Sequence, residues 1–195
     1  MIIKKDQFNN HNMSKLIKGV VVPRPIAWVS SIDKTGIHNI APFSFYTVAS
    51  LDPITLCFSV GSGDVNNTKD TLANIKETNE FVVNVVTESL ANQMYETSKF
   101  YQSEIDEFDV AKLNTAKSEY VKAPRLKESP IAMECKLDRI INVGTSHLIL
   151  GEVVCYHIDN DVYSENDKVD PDKLNIIGRM AGDYAHINDY FKLPR

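Results

Sequence analysis

Residues 21–79 read VVPRPIAWVSSIDKTGIHNIAPFSFYTVASLDPITLCFSVGSGDVNNTKDTLANIKETN. Ile26 to Ile32 is rich in β-branched and aromatic residues and predicts a strand. Asp33-Lys34-Thr35-Gly36 supplies turn chemistry, and Ile37 to Ala41 returns as the antiparallel partner. Thr55 to Val60 is a further short apolar strand, bounded by Pro53 and Gly61. Pro23, Pro25, Pro42 and Pro53 mark positions that cannot sit in a central, fully paired strand. The polar loop from Gly61 opens a helix over about Lys69–Glu77, with Asn67 or Thr68 as N-cap and Leu72 and Ile75 starting an apolar stripe. The first turn of such a helix carries free N–H groups and the positive end of the dipole, to which Lys69 and the threonine hydroxyls add donors. Read by itself, this junction fits either a phosphate monoester site or a capped surface helix.

The rest of the chain sets the bounds. At 195 residues it suits one domain over residues 1–195, with a core of about 20–184 and a tail at 185–195. Hydrophobic residues at 43% and charged residues at 24% are ordinary for a globular protein. A net charge of -5 argues against nucleic acid as a partner, because that needs clustered Lys and Arg. No apolar stretch approaches a membrane span, and the polar opening MIIKKDQFNNHNMSKL lacks the apolar run of a signal peptide. A cytoplasmic protein is expected. Cys57, Cys135 and Cys155 lie in apolar, strand-like runs without C-x-x-C spacing, which suits reduced, packed thiols.

Beyond the helix, Phe81 to Val86 predicts a buried strand and Ser89–Ser98 a short helix. Residues 99–130 form a charged excursion of the kind that covers a site. Ile131, Met133, Cys135, Leu137, Ile141 and Val143 then alternate with polar positions, and Arg139-Ile140 breaks the order as a bend would. His147–Ile158 is its antiparallel partner, apolar on both faces as if set between the core and another subunit. Leu174 to Arg179 is a last strand. Strands follow one another as hairpins and do not alternate with helices, so the expected fold is mainly β, a closed or partly closed antiparallel barrel with peripheral helices.

Several chemistries find no footing. His11, His38, His147, His157 and His186 are scattered, with no H-x-x-x-H spacing, so no metal is expected. There is no G-x-S-x-G elbow, no G-x-G-x-x-G fingerprint and no Walker loop.

Four motifs in order do point somewhere. Arg24-Pro25-Ile26-Ala27-Trp28-Val29-Ser30-Ser31, Asn39-Ile40-Ala41-Pro42-Phe43-Ser44-Phe45, Lys69-Asp70-Thr71-Leu72-Ala73-Asn74-Ile75, and Gly144 to Val153 with the late Gly178-Arg179 resemble the flavin reductase-like, FMN-binding split-barrel family, especially its flavoredoxin-like branch. The resemblance covers roughly Val20 to Tyr184. It implies a six-stranded antiparallel split barrel, a homodimer, and FMN held non-covalently near the dimer interface. Trp28, Val29, Ser30 and Ser31 with Asn39, Ala41, Pro42, Ser44 and Phe45 would line the isoalloxazine, backbone groups meeting its N and O atoms. Ser59 would lie toward the ribityl chain, and Asn66, Lys69, Asp70 and Thr71 would hold the phosphate. Arg179 and Tyr184 match late contacts to the flavin region. His147 stands where the flavin reductases proper carry Gly-Asp-His against a nicotinamide, but here Thr145-Ser146 precede it, a departure that bears on NAD(P)H use. The implied activity is electron transfer from NAD(P)H through FMN to a flavin, a small molecule or a redox partner protein, with the cofactor doing the redox chemistry. The alternative is a flavoredoxin-like electron carrier without its own NAD(P)H site. A pyridoxine-phosphate-oxidase-like enzyme and a barrel without cofactor fit the motifs less well.

Overall fold

The computed structural model describes residues 1–61 and 70–194. Strand β1 (Ala27–Ile32) turns at Asp33, whose Oδ1 accepts N–H bonds from Thr35 and Ile37, both at 2.8 Å. Gly36 takes φ +98°, a conformation that a side chain would strain, and β2 (His38–Phe43) returns along β1. A hairpin of β3 (Tyr46–Leu51) and β4 (Ile54–Gly61) follows. Helix α1 (Met13–Val20) precedes these strands, and α2 (Asp70–Thr78) leads into β5 (Glu80–Asn84). A short 3₁₀ turn and α3 (Ala91–Glu96) occupy the predicted helical stretch at 89–98, and α4 (Glu107–Val110) lies in the excursion.

The longest strands, β6 (Ile131–Val143) and β7 (Ser146–Ile158), form a hairpin whose turn uses Gly144 at φ +57°. Its register shifts between Leu137 and Arg139, at the bend expected from Arg139-Ile140. Helix α5 (Pro171–Leu174) takes the start of the predicted last strand, which is shorter, β8 (Ile177–Arg179), and pairs with β9 (Tyr184–His186).

One antiparallel sheet runs in the order β2-β1-β5-β6-β7-β4-β3. It has seven strands where six were expected. The added β3 is mostly solvent-facing along its length, so it shows no inward period in the sequence and is held by its ladder to β4. Pro42 lies in β2, an edge strand, where a missing N–H breaks no central ladder.

The sheet curls until its ends approach. The rings of Phe43 on β2 and Phe58 on β4 lie 5.1 Å apart, and Ser59 N–H donates to Phe45 C=O at 2.8 Å. Alternation sends Ala27, Val29, Phe58, Phe81, Val83 and Ile149 into the interior, and Leu72 and Ile75 of α2 pack against them. The opposite face of β1 carries Trp28, buried with Ile40, Met94, Phe108, Leu126 and Ile177. Fully burying side chains of this size contributes about 1.5–3 kcal/mol each.

Residues 99–130 strap this outer face through buried polar anchors. Ser30 Oγ donates to Pro124 C=O at 2.5 Å, and Asn84 Oδ1 accepts Leu126 N–H at 2.8 Å. Glu134 accepts N–H bonds from Glu119, Tyr120 and Val121 at 2.7, 2.6 and 3.1 Å, and Glu80 accepts that of Lys122 at 2.5 Å. The strap thus satisfies buried groups that would otherwise cost free energy. No helix among the described residues is long and apolar enough to cross a membrane.

Candidate functional site

A buried polar network gathers where α2 begins. Thr71, fully buried, donates from Oγ1 to Asn39 Oδ1 at 2.7 Å, and Ser31 Oγ reaches the same oxygen at 3.3 Å. Asn74 Nδ2 donates to Ser31 Oγ at 3.2 Å, and Asn39 Nδ2 donates to Glu107 Oε1 at 2.8 Å. Ser31 on β1, Asn39 on β2, Thr71 and Asn74 on α2 and Glu107 on α4 are therefore one connected unit. Burial and, more weakly, the charge of Asp70 push the Glu107 carboxyl up to about 7 against the pull of hydrogen bonds from the backbone and Asn39. Ser103 Oγ donates to Asp70 Oδ1 at 2.7 Å, and His38 Nδ1 lies 3.2 Å from Asp106 Oδ2. A cleft of about 30 Å³ between His38, Asn39, Asp70, Asn74 and Ser103 has room for roughly one water. Asn66 and Lys69, the other expected phosphate contacts, lie outside the described residues.

A second group stands at the rim where β4 ends. Ser59 and Val60 pair with Leu148 and His147 of β7, and Gly61 with Ser146. Among the described residues, His147 Nδ1 is the buried side-chain polar atom that finds no partner. An unpaired buried nitrogen costs about 1–3 kcal/mol, which makes this atom a candidate ligand contact.

The third group surrounds the link between β2 and β3. The buried Arg24 guanidinium donates to the carbonyls of Lys18, Val21 and Met180 at 2.9, 2.7 and 2.8 Å and to Ser44 Oγ at 3.4 Å. It also lies over the half-exposed Phe45 ring, 5.7 Å from its centroid. The backbones of Arg24 and Arg179 pair through bonds of 3.0 and 2.8 Å, and the Arg179 guanidinium stacks 4.5 Å over Tyr184. Burial and the Arg179 charge together lower the Arg24 pKa.

These groups take up the expected residues unevenly. Asn39 lies near the start of β2 and Ser44 just past its end, five residues or roughly 17 Å apart along an extended chain, with Ala41 and Pro42 between them. Among the described residues β2 pairs with β1 alone, and the outward N–H of Ile40 reaches Glu107 at 3.4 Å. The next outward position is Pro42, so this edge offers carbonyl acceptors and no N–H there. Trp28, Val29 and Ser30 are different. Their backbones pair with β2 on one side and β5 on the other. Trp28 Nε1 donates to Thr97 Oγ1 at 2.9 Å, Val29 is in the interior, and Ser30 Oγ holds the strap.

Sequence reading passed over Arg24, Asn74, Ser103 and Glu107 as site residues. Arg24 and Asn74 lie inside quoted motifs and were findable there. Ser103 and Glu107 sit in the aperiodic excursion, where no spacing signals their contacts.

A family model described as flavin reductase like domain matches residues 19–177. An uncharacterized protein of Aquifex aeolicus is 44% identical over 170 residues, 87% of each chain. Nitrilotriacetate monooxygenase component B from Bacillus cereus superposes with a TM-score of 0.94 at 32% identity, over 99% of this chain and 98% of that one. The 2-nitrobenzoate 2-nitroreductase of Pseudomonas fluorescens follows at 0.88 and 32%, over 100% and 96%.

Proposed function

This chain belongs to the flavin reductase-like domain family, and on that premise we propose that it binds FMN and moves electrons from a reduced nicotinamide to a flavin, small-molecule or protein acceptor. The observation that carries the reading is the Ser31–Asn39–Thr71–Asn74 network, which fixes β1, β2 and the start of α2 as one polar wall, with Lys69 the residue before Asp70 in sequence. Nδ1 of His147 supports the reading from the other side, because a buried nitrogen without a partner among the described residues suits a ligand at that rim.

Bound FMN would supply the chemistry, taking up two electrons and releasing them to an acceptor. The protein's part is to bind and orient. Lys69, Asn66 and the first turn of α2 would hold the phosphate, with Thr71 and Asn39 setting that turn against β2. Asp70, tied to Ser103, would position the strap there and add no positive charge. The carbonyl edge of β2 around Ala41 and Pro42 would accept hydrogen bonds, and Ser44, Phe45, Arg179 and Tyr184 would close the far end. His147 would meet the nicotinamide or the flavin rim, with Ser59 near the ribityl chain.

A second reading rests on one feature: Thr145-Ser146 stand before His147 where Gly-Asp is expected for nicotinamide use. In that case the protein is an FMN electron carrier reduced by another protein. Absorbance of FMN-reconstituted protein mixed anaerobically with NADH or NADPH separates the two. Rapid bleaching supports the reductase, and bands that persist with both nicotinamides support the carrier. Failure to take up FMN overturns both. Lys69→Ala is expected to weaken FMN binding by about 1–3 kcal/mol in a fluorescence titration, the scale of a hydrogen bond to a charged group. His147→Ala is expected to slow reduction by NAD(P)H while FMN stays bound, and unaltered reduction kinetics would leave the ring a packing role.

A further inference from the structure

Away from the rim, the far end of the β6–β7 hairpin brings together three side chains that the flavin reading does not use. Cys155 and His157 are two residues apart on β7 and share a face, and Glu134 on β6 is the register partner of Cys155. His157 lies ten residues along β7 from His147, roughly 30 Å of strand. His157 Nε2 is 2.6 Å from Glu134 Oε1 and 3.7 Å from Cys155 Sγ, and the three donor atoms all lie within 4.8 Å of one another. We propose that Glu134, Cys155 and His157 bind a zinc-class divalent cation that ties β6 to β7 at the carboxylate holding the strap.

The geometry is close to what such an ion requires. Zinc bond lengths of about 2.0–2.3 Å place a tetrahedral N–S pair roughly 3.5 Å apart and an N–O pair roughly 3.3 Å apart. The nitrogen-sulfur separation already fits, and the nitrogen-oxygen pair opens by about 0.7 Å when the ion replaces the hydrogen between them. Glu134 is fixed for the purpose. Its Oε2 holds the N–H groups of Tyr120 and Val121, and its Oε1 holds that of Glu119, which orients the carboxylate as outer partners orient a metal ligand. His157 keeps 19% of its side chain exposed, which provides an entry path and leaves the fourth position to water.

Glu134 is completely buried, and a cation at this point would sit against a carboxylate already held in place by three N–H groups. On binding, Cys155 loses its thiol proton to solvent and coordinates as thiolate, while His157 coordinates as neutral imidazole and any proton on Nε2 leaves.

The test uses the full chain without an affinity tag, titrated with Co²⁺ and then Zn²⁺. One equivalent of Co²⁺ is expected to give a thiolate-to-cobalt charge-transfer band, which Zn²⁺ removes by competition, and Zn²⁺ is expected to raise the Tm. Both effects should vanish in Cys155→Ser. His157→Gln, which retains a hydrogen-bonding group toward Glu134, should lose them too and serves if the first variant folds poorly. Absence of the band in the unmodified chain, or its survival in either folded variant, overturns the proposal and leaves the cluster as a hydrogen-bonded clamp.

Discussion

Glu107 binds its proton more tightly in the folded protein than in the unfolded chain, because burial holds its carboxyl at about 7 against the ordinary 4.5. The folded state therefore carries the extra proton between those values, and stability falls as pH rises through that window. Glu107→Gln keeps an acceptor for Asn39 Nδ2 but cannot ionise. The fall in unfolding free energy between pH 4.5 and 7.5 is expected to be smaller in the variant by on the order of 3 kcal/mol, measured by urea denaturation at both pH values. Equal slopes in the two proteins would show that Glu107 titrates normally. At Thr71 the buried hydroxyl donates a 2.7 Å bond to Asn39. Thr71→Val is expected to cost about 1–2 kcal/mol by the same measurement, since among the described residues it leaves Asn39 Oδ1 with the longer bond from Ser31. Thr71 was legible as part of a motif, but the motif does not say that its hydroxyl faces inward. That follows from Asn39, 32 residues earlier, lying against it.

The β6–β7 hairpin shows what an element reveals by itself. Its alternation and its bend are local, so both were readable before any partner strand was known. What the alternation could not show is why position 151 is glycine. A Cβ there would sit 2.3 Å from Cζ and 2.7 Å from Cε1 of Phe81, which packs from β5 across the interior. Gly151→Ala is expected to lose about 1–3 kcal/mol, read as a lower denaturant midpoint with an unchanged m-value. The strap makes the complementary case. Glu134→Ala removes the acceptor of three N–H groups, so the amides of Glu119, Tyr120 and Val121 are expected to exchange with solvent far faster, while those of Val82 and Val83 change less. Uniform acceleration at all five would mean that the carboxylate supports the whole sheet and not the strap.

At the scale of the whole molecule, the edge strand β3 leaves Val48 and Leu51 exposed, with Leu51 at 81% of its surface, and Ile54 beside them at the turn into β4. We propose that a second copy covers this edge, in keeping with the expected homodimer. Light scattering after size exclusion is expected to give twice the chain mass, and Leu51→Asp to shift it toward one. A single-chain mass for the parent protein would remove the dimer from the reading. The sequence by itself determined the strands with strong local patterns, the Asp33–Gly36 and Gly144 turns, and the four ordered motifs of the family. Each depends on residues within a few positions of one another. Tertiary structure alone decided the seventh strand, the curling that brings Phe43 to Phe58, the strap across β1, β5 and β6, and the meetings of Glu107 with Asn39 and of Glu134 with His157. The curl, the strap and the two meetings join residues 13 to 94 positions apart. Register and burial set them, and neither leaves a period in the chain.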